Sequence, residues 1–333
     1  MKCISCAIPC VKEELDLGVT LKGGQSFRWV SCKDDEKSFQ GVFSQTVWTL
    51  TQNDHQITYT VHGSLNEELN YDKVLYKYFR LNVSLREHLK TWSHADPHFE
   101  NSCDKIGAVR MLDQDVTENL FSFICSSNNN IARISGMVEK LCTIFGEKIC
   151  TVEGRVYHDF PTIQALAGAN VEDILRKEGF GYRARYIAKS AQKLLTLGGK
   201  EWLLKLCKDS GAIYEDAREN LMSLPGIGPK VADCICLMSL GHLEAIPVDT
   251  HIFQVACANY MPHLSKQKTV SPKIHQEVSS HLRDLWGPLA GWAQTVVFCV
   301  KINSVDSRKN KKRSSSEIDK TVHVEGQKSK QRK

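Results

Sequence analysis

The chain has 333 residues, 42% of them apolar, and a formal net charge of +5. That length supports two or three packed units, and no apolar run reaches the roughly 18 residues that span a bilayer, which excludes a helical membrane protein. Ten Lys/Arg against three Asp/Glu fall between Ser307 and Lys333, so the preceding residues carry a net charge of about −2 and must grip any polyanion through local patches and backbone donors.

In chain order, Gly24 to His62 reads as an antiparallel sheet. Ser26-Phe27-Arg28-Trp29-Val30, Phe39-Gln40-Gly41-Val42-Phe43, Val47-Trp48-Thr49-Leu50 and Ile57-Thr58-Tyr59-Thr60-Val61 are β-branched or aromatic runs parted by polar turns. Helical spacing follows from Leu65 to Trp92. From Asp115 onward nearly every element reads as helix: Val116 to Ser126, Ile131 to Phe145, Ile163 to Ala167, Val171 to Lys177, Ala184 to Leu197 and Trp202 to Asp209. The expected fold class is therefore α+β. An antiparallel β domain with flanking helices occupies 1–110, a helical domain 111–303, and a disordered basic tail 304–333, with no repeat of solenoid period. The run Arg308-Lys309-Asn310-Lys311-Lys312-Arg313 suits nuclear import, with non-specific DNA attraction or a plain solvated terminus as other readings. Met1 to Glu14 resembles neither a secretory signal nor an Arg-rich transit leader, so a soluble, intracellular protein without a mitochondrial leader is expected.

Thirteen cysteines are an odd number and mostly sit in apolar runs such as Phe123-Ile124-Cys125 and Cys234-Ile235-Cys236, which favours reduced, buried thiols. Cys3-Ile4-Ser5-Cys6 has metal-ligand spacing, but no second pair completes it, and no close Cys quartet is present for an iron–sulfur cluster.

Chemistry concentrates in Leu224-Pro225-Gly226-Ile227-Gly228-Pro229-Lys230 and in Asp249, nineteen residues after Lys230. Two glycines permit a tight hairpin and a close ligand approach, and Pro229 suits the first position of a helix running to Leu240. Backbone N–H groups at such a turn point at an anion, naturally phosphate. A neutral Lys230 amine is a nucleophile toward an electrophilic carbon, and Asp249 balances developing positive charge. Taken singly, each piece also fits an ordinary turn, a solvated lysine and a helix cap.

Three further constellations carry both readings. Ser126 to Arg133 joins three asparagines and a guanidinium at a helix junction, fit for base edges or for a capping turn. Gly179 to Tyr186 opens a helix with an aromatic and two arginines, as a wedge in a duplex requires, or as a solvated surface helix would. Gln294 and Phe298, four apart, share one helical face as a nucleobase pocket would need, or as a core Phe beside a surface Gln.

The hairpin with Asp249 resembles the helix-hairpin-helix, Gly/Pro-Asp DNA glycosylase superfamily. With Gly24-Gln25-Ser26-Phe27-Arg28-Trp29, Cys125 to Arg133, Gly181 to Tyr186, Val231 to Met238 and Gly291-Trp292-Ala293-Gln294, the chain closely resembles the eukaryotic 8-oxoguanine DNA glycosylases over residues 15–303. The resemblance implies a sheet like that of the TATA-binding protein ahead of a helix-hairpin-helix domain. It implies a bifunctional glycosylase/lyase that flips 8-oxoguanine out of a duplex in which it faces cytosine. Lys230 would be the nucleophile that forms a Schiff base and Asp249 its charge partner. The Gly24 carbonyl would accept the N7 hydrogen, Gln294 would read the Watson–Crick edge, and Phe298 and Cys234 would sandwich the ring. Asn128, Arg133 and Arg183 would contact the orphaned cytosine, with Tyr182 as the wedge. His251 and the N–H groups of Gly226, Gly228 and Val231 would hold phosphate. Carbonyls of Met222, Leu224 and Ile227 would hold a structural monovalent or divalent cation, and no redox or organic cofactor would be required. A nuclear, monomeric enzyme acting ahead of downstream repair enzymes is expected. One departure stands out: Lys301 occupies the position where the resemblance implies an acidic partner for His251. A glycosylase for another lesion, or a damaged-DNA binder with weak catalysis, are the rival readings; the first has no need of Lys230, the second of neither Lys230 nor Asp249.

Overall fold

The computed structural model describes residues 3–304 apart from 34, 36 and 67, so the expected basic tail lies almost wholly outside the described residues. Strands β1 (Ile4–Pro9), β2 (Val30–Ser31), β3 (Ser38–Phe43), β4 (Thr46–Gln52) and β5 (Gln56–Ser64) form an antiparallel sheet in the order β1-β5-β4-β3-β2. The period of two along β5 turns Ile57, Tyr59 and Val61 inward, and Tyr59 and Val61 pair with Leu50 and Trp48 of β4. Helix α1 (Leu17–Lys22), capped by the Asp16 carboxylate, and α2 (Tyr71–Tyr78) close that face over Trp48, Tyr59, Leu75 and Phe79.

Helices α3 (Leu85–Ala95), α4 (Pro97–Cys103), α5 (Val116–Ile124), α6 (Ile131–Phe145), α7 (Ile163–Leu166), α8 (Val171–Lys177), α9 (Arg183–Leu197), α10 (Lys200–Lys205), α11 (Tyr214–Met222), α12 (Pro229–Ser239), α13 (Thr250–Asn259), α14 (Pro272–Trp286) and α15 (290–304) surround one larger apolar core. None of the helices among the described residues is long and apolar enough to cross a membrane.

Tertiary packing overrides local pattern in three places. Ser26 to Trp29 does not join the sheet, and only Val30–Ser31 pairs with β3. Phe27 is drawn instead into the helical core, edge-on to Phe123 at 5.6 Å. Leu85, Trp92 and Phe99 of α3 and α4 pack into that same core, so the flanking helices of the first unit reach across to the second. A two-stranded hairpin, β6 (Lys148–Val152) and β7 (Arg155–His158), also interrupts the helical unit. Its Ile149, Val152 and Tyr157 cover Val42 and Val47 on the outer face of the sheet, which explains why those two valines are buried.

The units are tied by polar side chains that have no water to turn to. Gln25, 1% exposed, donates Nε2–H to the Arg110 carbonyl (2.8 Å) and accepts the Leu112 N–H at Oε1 (3.0 Å). Trp292 Nε1–H donates to the Val109 carbonyl (2.8 Å), and Gln114 Nε2–H donates to the Gln25 carbonyl (3.0 Å). Arg28 donates to the His158 carbonyl and lies 3.5 Å from Glu118 Oε2.

Burial pushes the Glu118 carboxyl from its ordinary 4.5 up to about 7, against the opposing pull of Arg28. The folded state therefore holds a proton that the unfolded state releases between these two values, and stability falls as pH rises through that window. Urea unfolding of Glu118→Gln between pH 4.5 and 7 is expected to show a flatter dependence of midpoint on pH than the parent chain.

Candidate active site

The hairpin before α12 is closed by the Ile227 N–H, which donates to the Leu224 carbonyl at 3.2 Å. Gly226 has φ of +82°, and a Cβ there would stand 2.6 Å from the Tyr186 ring, so both backbone angle and packing require glycine. Gly228 caps α12 with open space around its α-carbon, and Pro229 begins the helix. The N–H groups of Gly226 and Gly228 have no acceptor among the described residues, and those of Lys230 and Val231 lie in the first helical turn, where no intrahelical acceptor exists. These four donors make a socket for an anion. From the other side the hairpin is braced by α9: Ser190 Oγ donates to the Pro225 carbonyl and Lys193 Nζ to the Ser223 carbonyl, each at 2.6 Å.

Lys230, half-buried, sends Nζ to 4.8 Å above the Phe123 ring and donates to Ser126 Oγ at 3.4 Å. Among the described residues no carboxylate forms an ion pair with it. Cys234, one turn on, is 2% exposed; burial pushes its thiol up to about 11, while Lys230 pulls it down and Asp249 pushes it up, so the thiol lies within the field of both charged groups. Asp249 caps α13, accepting at Oδ1 from His251 N–H (2.9 Å) and Ile252 N–H (2.8 Å). This cap pins the carboxylate without using Oδ2.

Gly24, at φ +73°, lies where an added Cβ would come 3.3 Å from Ile131 and 3.5 Å from the Phe298 ring. The two ends of the chain therefore meet there. Phe298 in turn stands edge-on to His251, ring centroids 6.0 Å apart, and Gln294, one turn earlier on α15, is buried. His251 Nδ1 is buried with no partner among the described residues. Lys301 is half-buried and forms no ion pair among them, so His251 has no carboxylate partner from that position.

On the third side, Asn128 has a left-handed backbone with φ +47°. Arg183, only 4% exposed, clamps this turn by donating to the carbonyls of Ser127 and Asn128, and Tyr182 adds its hydroxyl to Ser127 at 3.0 Å. The guanidinium carbon of Arg183 sits 4.6 Å over the exposed Tyr182 ring. Arg133 is exposed and only loosely tied, 3.5 Å from the Gly179 carbonyl. Beyond Tyr182 an open cleft of about 970 Å³ follows α9 past Arg185, Tyr186, Lys189 and Lys193 to Pro225, and α9 contains no acidic residue.

Phe123 emerges as a site residue that pattern reading did not single out, and Ser126 and Tyr186, which lie in segments it did mark, gain roles it did not assign. Their role comes from which elements pack together, α5 against α12 and α9 against the hairpin, and leaves no local trace. Asp233 had one available signal, a carboxylate inside the apolar run Ala232 to Met238.

Comparison with known proteins follows this layout. Residues 7–120 match the family described as 8-oxoguanine DNA glycosylase, N-terminal domain, and residues 121–284 match the HhH-GPD superfamily of base excision DNA repair proteins. The N-glycosylase/DNA lyase of Saccharomyces cerevisiae is 40% identical, with 87% of this chain and 84% of that protein aligned. The Arabidopsis thaliana N-glycosylase/DNA lyase OGG1 is 38% identical over 87% of this chain and 78% of its own. A Clostridium acetobutylicum 8-oxoguanine glycosylase/lyase, solved with double-stranded DNA containing cytosine opposite 8-oxoguanine, superposes with a TM-score of 0.75 at 26% identity, covering 92% of this chain and 98% of that one.

The two hairpin glycines separate folding from binding. Gly226→Ala is expected to cost about 1–3 kcal/mol of stability, from positive φ and the Tyr186 contact, read as a lower melting temperature. Gly228→Ala, at φ −98° in open space, is expected to melt like the parent yet bind a DNA duplex more weakly in a fluorescence titration, because its methyl stands among the N–H donors.

Proposed function

The chain belongs to the N-glycosylase/DNA lyase family within the HhH-GPD superfamily of base excision repair proteins, and from that membership we propose that it excises 8-oxoguanine opposite cytosine by base flipping and amine catalysis. The observation that carries this reading is the meeting of Gly24 with Phe298 beside the Asp249–His251 turn, while Lys230 and Cys234 share one face of α12. A nucleobase turned out of the stack needs such a slot, with an apolar ring on one side and a backbone acceptor at its edge.

In the proposed reaction the Lys230 amine, once neutral, bonds to the anomeric carbon C1′ as the C1′–N9 bond breaks and the base leaves with that electron pair. Opening of the sugar gives a protonated imine. Loss of a C2′ proton then expels the 3′ phosphate, and water releases the amine. Asp249, its Oδ1 occupied by two N–H groups, presents Oδ2 to the positive charge that builds on the sugar. The Gly24 carbonyl accepts the N7 hydrogen that guanine lacks, Gln294 reads the Watson–Crick edge, and Phe298 and Cys234 hold the ring between them. Discrimination by one hydrogen bond is effective here because an unpaired polar group in a buried slot is costly.

Tyr182 enters the stack beside the orphaned cytosine. Asn128, Arg133 and Arg183 contact that base, and Arg183 also clamps the loop that carries Asn128. His251 and the hairpin N–H groups of Gly226, Gly228 and Val231 take the phosphates flanking the lesion. The carbonyls of Met222, Leu224 and Ile227 would hold a structural cation; Leu224 already accepts one N–H, and three neutral oxygens suit a monovalent ion better than one demanding carboxylates. No other cofactor enters the reaction. A monomer acting in the nucleus, and passing a nicked product to downstream repair enzymes, completes the reading; the basic run Arg308 to Arg313 supports import.

Borohydride reduction during reaction with an 8-oxoguanine:cytosine duplex is expected to yield a covalent adduct, and Lys230→Gln to abolish it while duplex binding persists. Folded, active protein that gives no adduct would sink the imine. A catalytically silent damage binder would bind the duplex and release no base at all. Excision is also expected to be faster opposite cytosine than opposite adenine; equal rates would remove Asn128, Arg133 and Arg183 from base recognition.

A further inference from the structure

Behind α12 lies a buried polar cluster that the proposed chemistry does not use. Asp233, one turn after Lys230 and fully buried, accepts at Oδ1 from the Tyr214 hydroxyl and from Arg218 Nε, both at 2.7 Å. Its Oδ2 lies 3.1 Å from His275 Nε2 and makes no hydrogen bond among the described residues. That same nitrogen is where the Val248 N–H points, at 3.3 Å. His275 is 3% exposed, and its Nδ1 has no hydrogen-bond partner among the described residues.

One ring nitrogen cannot serve both neighbours. With a proton on Nε2, the imidazole donates to Asp233, and the Val248 N–H is left facing another N–H. With the proton on Nδ1, Nε2 accepts from Val248 while its lone pair confronts a carboxylate oxygen; a doubly protonated ring repeats the first arrangement. Val248 immediately precedes Asp249, whose Oδ1 caps α13. The choice made at His275 is therefore passed through one peptide unit to the carboxylate.

We propose that His275 is a positioning residue for Asp249, and that through Asp233 it ties the helix bearing Lys230 to the segment bearing Asp249. The proposal rests on the reading above, in which those two residues act on the sugar. His275 touches no substrate and acts only by fixing where Asp249 stands relative to the amine.

Two variants test it. Gln at this position reaches about as far as Nε2 and carries its acceptor and donor on separate atoms, so it can satisfy Val248 and Asp233 together; Leu fills similar space and satisfies neither. His275→Leu is expected to slow single-turnover excision of 8-oxoguanine by about 10- to 100-fold at saturating enzyme, the cost of a small misplacement of a reacting group, with duplex affinity unchanged. His275→Gln is expected to match or exceed the parent rate. Hydrogen exchange at the Val248 amide should quicken in the Leu variant and not in the Gln variant. A folded Leu variant with the parent rate would overturn the proposal, as would a Gln variant that melts like the parent but is as slow as Leu. If Leu does not fold, the parent and Gln decide alone: a freely exchanging Val248 amide in the parent, or a slow Gln enzyme, overturns it. Loss of borohydride trapping in the parent would instead refute the amine chemistry, whereas Val248 exchange reads the His275 contact without reference to that chemistry.

Discussion

Gln25 occupies a position where a side-chain amide is asked to donate and accept at once, in a place with no water, across the line where sheet and helices join. Its two bonds to the 110–112 segment fix the backbone of Gly24, the next residue back, relative to the helical unit. Everything proposed for base selection depends on this. A single hydrogen bond that separates two nearly identical purines tolerates an error of about half an ångström, and the acceptor and the amine come from opposite sides of the seam. Trp292, Arg28 and the apolar face of the β6–β7 hairpin add three further ties between chain segments far apart in sequence. These ties hold the two units together where Gly24 meets Phe298.

Several helices were legible because they carry a start signal or an apolar stripe. Ile131–Phe145 and Val171–Lys177 run over the spans that periodicity marks. What stayed hidden was decided by neighbours. Phe27 has strand character but finds Phe123 across the seam, and the β6–β7 strands are short, mixed in polarity and stabilised by valines of a distant sheet. Strand β1 begins four residues into the chain, where four of its six side chains are exposed and no turn signal precedes it.

The site divides along the same line. Lys230 and Asp249 were readable as chemistry because turn and cap residues surround them, and the open Gly228 and crowded Gly226 follow from hairpin geometry. The approach of Gly24 to Phe298 has no local signature, and only resemblance to known proteins linked those positions. The buried Asp233–His275 pair was not anticipated, since a histidine on an amphipathic helix such as α14 reads as surface until its partners are seen. At Lys301 the departure from the expected acidic residue coincides with a His251 whose Nδ1 has no partner among the described residues and whose ring stands edge-on to Phe298.

Burial has one more consequence, in the sulfur chemistry of the core. The thiols of Cys125, Cys142 and Cys299 are each pushed up to about 12, and that of Cys234 to about 11, by removal from solvent. Peroxides attack the thiolate, and groups held this far from ionising react slowly with them. The proposed substrate is itself a product of oxidation, so its abundance and the oxidant load on the protein rise together. A packed interior that keeps these four sulfurs protonated slows their attack by such oxidants, while Cys3 and Cys6 stand exposed.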